Sequence, residues 1–343
     1  MPDEVDAALV DELVTATARA YVARAFVELQ VPEHLNDGAK SLDALAGASG
    51  TDAPTLRRLM RAAAAIGLCR EGDPGQFMLT VAGHSLHSAA SGNAAGWLRL
   101  MTGPGITRAW ERLADTARTG ESQFSNVHGV GFWQYVAQHP DEAAIFDGAM
   151  TSGARQRADD LLEATDFSTI EVVVDVGGGQ GLLAAALLSS TPHLRAVVAD
   201  RPEVIATPDA AVHDAGDRIQ TIATDFFAEV PAGGDLYVLS RIVHDWPDAD
   251  AAAILRNCRS VMTDNARLCL LEQIAPDSSQ LDPDERLALA IKDLNMLVLV
   301  GGGERTLADY STLLSQAHLE ITAVHKGAGC DVILAAPAQV NNE

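Results

Sequence analysis

The stretch EVVVDVGGGQGLLAAALLSS, residues 171–190, runs from a continuous apolar segment through glycines into a small-residue helical pattern. A short β-branched run that ends in glycine reads as a buried strand, and the Leu- and Ala-rich run behind it reads as a helix. The alternation continues downstream: LRAVVAD, a helix, IQTIA, DLYVLS, a helix, ARLCLLE, a long helix, then LEITAVHKG and CDVILAAP. Strand and helix in turn predict a doubly wound, Rossmann-like α/β domain over residues 164–343. Its sheet has seven strands and is mostly parallel, with the last two runs as an antiparallel edge pair.

In an open parallel sheet the ligand sits at the carboxyl ends of the strands, beside the turn from the first strand to its helix. Gly177, Gly178, Gly179 and Gly181 make that turn, spaced G-x-G-x-G. The dinucleotide fingerprint needs its third glycine where the chain has Leu182, and a phosphate loop needs Gly-Lys-Ser/Thr, which is absent. Asp175, just before the glycines, would repel a pyrophosphate. It can accept a bond from an ammonium or a water, or simply cap the strand end. Asp200 ends the next strand in VVAD, placed to hold two ribose hydroxyls. Asp225, followed by Phe226 and Phe227, offers an acceptor for an exocyclic amine and an aromatic surface for a base. An adenosine with a cationic tail and no phosphate fits this set, and S-adenosylmethionine is such a ligand. A nicotinamide cofactor is the competing reading.

After the fourth strand comes LSRIVHDWPDADAAAILRNC, with His244 at the strand exit and Trp246 as an apolar plate beside a helix start. Imidazole titrates near neutral pH and can take a phenolic or alcoholic proton as the oxygen attacks an electrophilic methyl group, so His244 is the expected general base. Glu272 in LCLLEQIAP and Glu304 in GGGERT are expected beside it, holding its tautomer and stabilising the imidazolium. The alternatives are an arginine partner at a neighbouring strand end for Glu272, and an exposed loop residue or helix cap for Glu304.

Upstream, residues 1–95 are helical, with helix starts at Ser41 and at Asp52 with Pro54. A hairpin is expected around Gly72-Asp73-Pro74-Gly75. Helices followed by a hairpin are the order of a winged helix, a fold used for DNA binding or for dimerisation and substrate capping. Residues 96–163 form a helical linker in which Trp97, Trp110, Phe132, Trp133, Phe146 and Met150 recur at helical spacing, as core or as the wall of an apolar pocket. Twenty-four basic against 47 acidic residues give a net charge of -23, which argues against nucleic acid and anionic membranes as partners. The acidic N-terminal stretch lacks the pattern of an export signal, and no apolar run has the length of a membrane span. Cys69, Cys258, Cys269 and Cys330 are scattered without metal spacing. The expectation is a cytoplasmic protein with reduced core thiols and no metal.

Glycine turn, DFF, LSRIVHDWPD, LLEQIAP and DLNMLVLVGGGERT follow one another as in the plant and bacterial small-molecule O-methyltransferases. The chain resembles that family, the caffeic-acid type with its antibiotic-tailoring branch that includes carminomycin O-methyltransferase, over nearly its whole length. The resemblance implies a winged-helix-like N-terminal dimerisation domain and a homodimer. It implies methyl transfer from S-adenosylmethionine to a hydroxyl of a small aromatic natural product, leaving S-adenosylhomocysteine. Gly177, Asp200, Asp225, Phe226 and Ser240 match the family's cofactor contacts, and Asp175, Gly179 and Arg241 are grouped with them. Many plant members carry lysine at the place of Ser240. His244 matches the general base, with Glu272 and Glu304 as its flanking carboxylates. Asn295 and Met296 match positions facing the acceptor ring, to which Trp246, Phe146 and Met150 are added. The bacterial branch also holds members that keep fold and cofactor but catalyse hydroxylation-like or pericyclic reactions, which is the alternative activity; a ligand-sensing winged-helix regulator is a third reading.

Overall fold

A computed structural model describes residues 7–206, 208–277, 279 and 281–339. The chain divides into two compact units, residues 1–107 with 140–149, and residues 108–139 with 150–343. The expected linker over 96–163 is therefore shared between the two units.

In the first unit, helices Leu42–Ser49 and Ala53–Ala65 begin at the expected caps. The Ser41 side chain accepts from the Ala44 amide, and Asp52 accepts from Thr55 with a proline in the first turn. Strands β2 (Cys69–Glu71) and β3 (Gln76–Leu79) form the expected hairpin, and β1 (Lys40–Ser41) joins β3 to complete a small antiparallel sheet. Phe26, Leu35, Leu45, Leu56, Met60 and Phe77 fill the core. The long helix Ala7–Glu28 differs from its neighbours: Val10, Leu13 and Val14 are 50%, 66% and 76% exposed, and its first buried side chain is Phe26.

The second unit holds the sheet. Its strands are β4 (Val172–Val176), β5 (Arg195–Asp200), β6 (Ile219–Ala223), β7 (Leu236–Ser240), β8 (Arg267–Glu272), β9 (Leu319–Lys326) and β10 (Asp331–Pro337). Their order across the sheet is β6-β5-β4-β7-β8-β10-β9. The first five run parallel and β10 is antiparallel to both of its neighbours. Alternate residues go to opposite faces: Val174, Tyr237, Leu239 and Leu270 pack in one apolar cluster, and Val173, Leu236, Val238 and Leu271 in the other. Helix Leu182–Ser190, with six of its residues buried, packs in the second cluster. The chain proceeds outward from β4 through β5 to β6, then returns to place β7 on the other side of β4. Two adjacent strands whose connections leave in opposite directions open a crevice at their carboxyl ends, and here those ends are Val176 and Ser240. All four cysteines are buried and free. Among the described residues, no helix is long and apolar enough to cross a membrane.

The turn between β9 and β10 is tied to helix Ala154–Ala164 by Asp160, a buried carboxylate that accepts from the amides of Ala328, Gly329 and Cys330 at 3.0, 2.8 and 3.0 Å. Burial pushes its pKa up, but the amides outweigh burial and hold it below the usual value. Asp160→Ala strands three donors, and a lowering of the unfolding free energy by about 3 kcal/mol is expected in urea titrations.

Candidate active site

The glycine turn meets the second half of the sheet across the crevice. Gly177 and Gly179 have φ of 71° and 60°, which side chains rarely adopt. A Cβ on Gly177 would lie 2.5 Å from Ile242 Cδ1 and 3.5 Å from Phe226 Cε1, so the Ile242 side chain would have to move, and the positive φ strains any other residue there. The turn is pinned by the Gly177 amide donating to Ala199 O at 2.8 Å and the Gly179 amide donating to Asp200 Oδ2 at 2.8 Å. Asp200 Oδ1 accepts from the Arg201 amide at 2.7 Å. Burial raises the Asp200 pKa against these two amide bonds. Each oxygen is thus oriented by one amide, with lone pairs left for hydroxyl donors.

Asp175 is 1% exposed, and neither of its oxygens has a hydrogen-bond partner among the described residues. Burial, reinforced by Asp200 and partly offset by Arg157, pushes its pKa up to about 7. Its carboxyl packs under Gly178, where a Cβ would sit 2.6 Å from Asp175 Cγ. Ser240 Oγ is likewise buried and without a partner among the described residues. Asp225 is exposed, and its Oδ1 accepts from the Phe227 amide at 2.9 Å, so it also acts as the turn cap. Phe226 and Phe227 lie edge-on to Trp246 at 5.9 and 4.7 Å between centroids, and Trp133 stacks on Trp246 at 6.3 Å. Trp246 is therefore one wall of an aromatic group built around the Asp-Phe-Phe turn.

After β7, Arg241 takes φ of 60°, a left-handed conformation that costs a non-glycine residue about 1 kcal/mol or more. It reverses the chain into the one-turn 3-10 segment Val243–Asp245. Glu272, fully buried at the end of β8, directs Oε1 at the amides of Ile242, Val243 and His244 at 3.1, 2.8 and 3.4 Å. Its Oε2 stands 3.7 Å from His244 Nδ1, and Glu304 Oε1 stands 3.5 Å from the same nitrogen. Asp245 Oδ1 is 3.3 Å from Nε2. The imidazole is 3% exposed. Burial pushes its pKa down, but Glu272, Asp245 and Glu304 together outweigh burial and Arg241, and the net shift is upward. Burial pushes Asp245 up to about 6 against the pull of His244, whereas for Glu304 burial is outweighed by His244 together with Arg241 and Lys292, and its pKa falls below the usual value.

His244, Glu272 and Glu304 are thus brought together, as are Asp175, Asp200 and the glycine turn. Glu272 pairs with backbone amides instead of an arginine, and Glu304 has a side chain only 2% exposed. Asn295 is fixed by Trp110, whose Nε1 donates to Oδ1 at 3.1 Å. Met296 follows it on helix Pro283–Val300, and Met150 O accepts from Arg157 Nη2 at 3.1 Å. Phe146 belongs to the other compact unit. Of the six residues expected as core or pocket wall, only Phe132 is buried, and Trp97 is 39% exposed. Sequence reasoning missed Asp245 and Arg305, each one residue beyond a chosen position. It also missed Ile242, which lies within LSRIVHDWPD but has no polar group to mark it.

Fold and site define a doubly wound enzyme whose polar residues gather where the strand order reverses. The chain belongs to the O-methyltransferase family: the O-methyltransferase domain matches residues 110–320 and the O-methyltransferase dimerisation domain residues 12–88. It is a methyltransferase. A phenazine O-methyltransferase of Lysobacter antibioticus is 34% identical over 94% of this chain and 92% of its own length. The O-demethylpuromycin-O-methyltransferase of Streptomyces alboniger is 38% identical over 88% of this chain and 80% of its own. Among solved structures, an O-methyltransferase from neocarzinostatin biosynthesis, in complex with S-adenosyl-L-homocysteine and 1,4-dihydroxy-2-naphthoic acid, has a TM-score of 0.83. It is 29% identical, with 98% of this chain and 100% of that one covered.

Because Asp175 holds its proton to about pH 7 when folded and releases it near 3.8 when unfolded, the folded chain binds the extra proton across that interval. Its contribution to stability is full below 3.8 and is lost as pH rises through about 7. Asp175→Asn is expected to flatten this decline, read as the urea midpoint against pH in the protein without ligand.

Proposed function

We propose that the protein transfers a methyl group from S-adenosylmethionine to a hydroxyl, of phenolic type, on a small aromatic natural product, with His244 as general base. The observation that carries this reading is a buried imidazole surrounded by three carboxylates on the turn that faces the glycine loop across the strand-order reversal. The residues also fit the cofactor. Asp200 has pre-oriented oxygens for the ribose, and Phe226 an aromatic surface beside Gly177, with Asp225 at the adenine edge. Asp175 and Ser240 have buried polar atoms without hydrogen-bond partners among the described residues, suited to the ammonium end, and Arg241 follows Ser240, its cation suited to the ligand's carboxylate.

Bound there, S-adenosylmethionine supplies an electrophilic methyl group on a sulfonium and leaves as S-adenosylhomocysteine. His244 receives the hydroxyl proton while the acceptor oxygen forms its bond to the methyl carbon. A raised pKa makes the imidazole a stronger base, and Glu272 and Glu304 at Nδ1 stabilise the imidazolium that results. The incoming oxygen carries negative charge and the sulfonium positive, so charge is neutralised along the reaction and a water-poor crevice favours it. Asn295, with its carbonyl oxygen taken by Trp110, presents its amide nitrogen to the acceptor, and Met296 and Met150 contribute apolar surface, whereas Trp246 lies with Phe226 and Phe227 on the adenine side.

Calorimetric titration with S-adenosylmethionine and S-adenosylhomocysteine, followed by mass analysis of phenolic and quinone scaffolds, tests the reading. Binding with the gain of one methylene on an acceptor is the expected result. Binding without transfer to any scaffold points to the repurposed chemistry of some relatives, and failure to bind either compound removes the proposal. Affinity is expected to tighten as pH rises through about 7, since a cationic ligand prefers ionised Asp175. His244→Ala should lower the turnover rate by about 100- to 10,000-fold, and the parent rate should fall on the acid side of a pKa above the ordinary 6.5.

The exposed apolar side chains of helix Ala7–Glu28, Val10, Leu13, Val14 and Tyr21, fit a homodimer formed through the dimerisation domain. Light scattering is expected to give the mass of two chains, and Leu13→Asp combined with Val14→Asp that of one. A parent protein of single-chain mass would exclude this assembly.

A further inference from the structure

His244 sits on a single 3-10 turn, outside any long element, and two buried charged side chains hold that turn from opposite ends. On the amide end is Glu272, described above. On the carbonyl end is Arg305, 6% exposed: Nη1 donates to Val243 O at 2.7 Å and Nη2 to Trp246 O at 2.6 Å. Its Nε and Nη2 also donate to Asp248 Oδ1 at 3.0 and 2.8 Å. An anion at the amide end and a cation at the carbonyl end match the dipole of a helical turn.

The same arginine belongs to the loop that carries Glu304. The Gly303 amide donates to His244 O at 2.9 Å, and a Cβ on Gly302 would lie 2.1 Å from that oxygen, so loop and turn are in direct backbone contact. Arg305 O accepts from the Ala275 amide at 2.8 Å just beyond β8, and the Glu304 amide donates to Asp293 Oδ1 at 2.9 Å. A guanidinium fork can serve three oxygens in fixed directions, which an ammonium cannot.

We infer that Arg305 is a positioning residue for His244: by holding the carbonyls of Val243 and Trp246 it sets the imidazole's distance from the Glu304 carboxylate. Its catalytic meaning rests on His244 being the base; the coupling itself does not. Lysine at 305 keeps the charge and removes the fork, so any change at His244 reports geometry.

The test is the titration of the His244 ring followed by NMR in the full-length protein, with calorimetric binding of S-adenosylhomocysteine as the control for an intact site. In Arg305→Lys the His244 pKa is expected to fall by at least about half a pH unit as the carboxylates lose their registry, with binding within about twofold of the parent. If the lysine variant does not fold, Asp248→Ala decides. Its side chain is 80% exposed, and at about 0.5 M salt its own charge is screened, so a lowered His244 pKa there reports the loosened guanidinium. An unchanged His244 titration in the folded variant overturns the inference, as does a change accompanied by loss of binding. A pKa that moves as expected while His244→Ala keeps the parental turnover rate would retire the base and leave the positioning contact standing.

Discussion

The site depends on one fully buried carboxylate oxygen. Glu272 Oε1 collects three consecutive amides of the turn after β7, and without that acceptor three donors would be stranded in a water-poor position. The register of the sheet makes the interaction possible. Ser240 pairs with Leu271, so the last residue of β8 lies beside the exit of β7 and can reach over the departing chain. Because the turn is fixed there, Ile242 is delivered against Gly177, where the close approach and the positive φ both favour glycine. A constraint at one strand end thereby shapes the cofactor side and the base side of the crevice together.

The electrostatics follow from the same placement. Burying several carboxylates around one imidazole is unfavourable unless the imidazole is charged, and a fold selected for stability alone has little reason to gather them. The arrangement favours the imidazolium, the form a general base would adopt on taking a proton, which is what the proposed methyl transfer asks of His244. Asp245 at Nε2 and Glu304 at Nδ1 hold the two nitrogens in distinct surroundings, 3.3 and 3.5 Å away. The left-handed Arg241 and the Asp175 carboxyl, which has no hydrogen-bond partner among the described residues, are both unfavourable locally, and the packed sheet on either side supplies the rigidity that sustains them.

Much of this was legible in the sequence because it is local. The strand-to-glycine transition at 176–177, the cap residues Ser41 and Asp52, the hairpin at 72–75 and the strand-end Asp200 each declare themselves within a few residues. The order of the alternating elements then points to the crevice. What could not be read depends on contacts between distant segments. Glu272 was legible as a carboxylate near the base, but its main role is toward amides 28 to 30 residues earlier, a fact of strand register. Trp110 and Asn295 are 185 residues apart, and only tertiary packing makes the indole N–H the donor that orients the amide. Trp246 read as a plate beside the base, yet its rings of contact are Phe226, Phe227 and Trp133, on the side of the Asp-Phe-Phe turn.

Helix Ala7–Glu28 shows the same limit from the opposite direction. Its apolar residues have helical spacing, and periodicity alone assigns such residues to a core. Within one chain, however, the helix is exposed from Ala8 to Arg19, and only its C-terminal end at Phe26 and Val27 enters the core of its own unit. A hydrophobic pattern states that a face is to be buried without stating against what. For a helix inside the dimerisation domain, a second copy of the same surface can cover it by two-fold symmetry, because one self-complementary patch then serves both chains with no further sequence required. The exposed apolar side chains are then covered in the assembly, and the single chain needs only the smaller cluster around Phe26, Leu56, Met60 and Phe77 to hold its unit together.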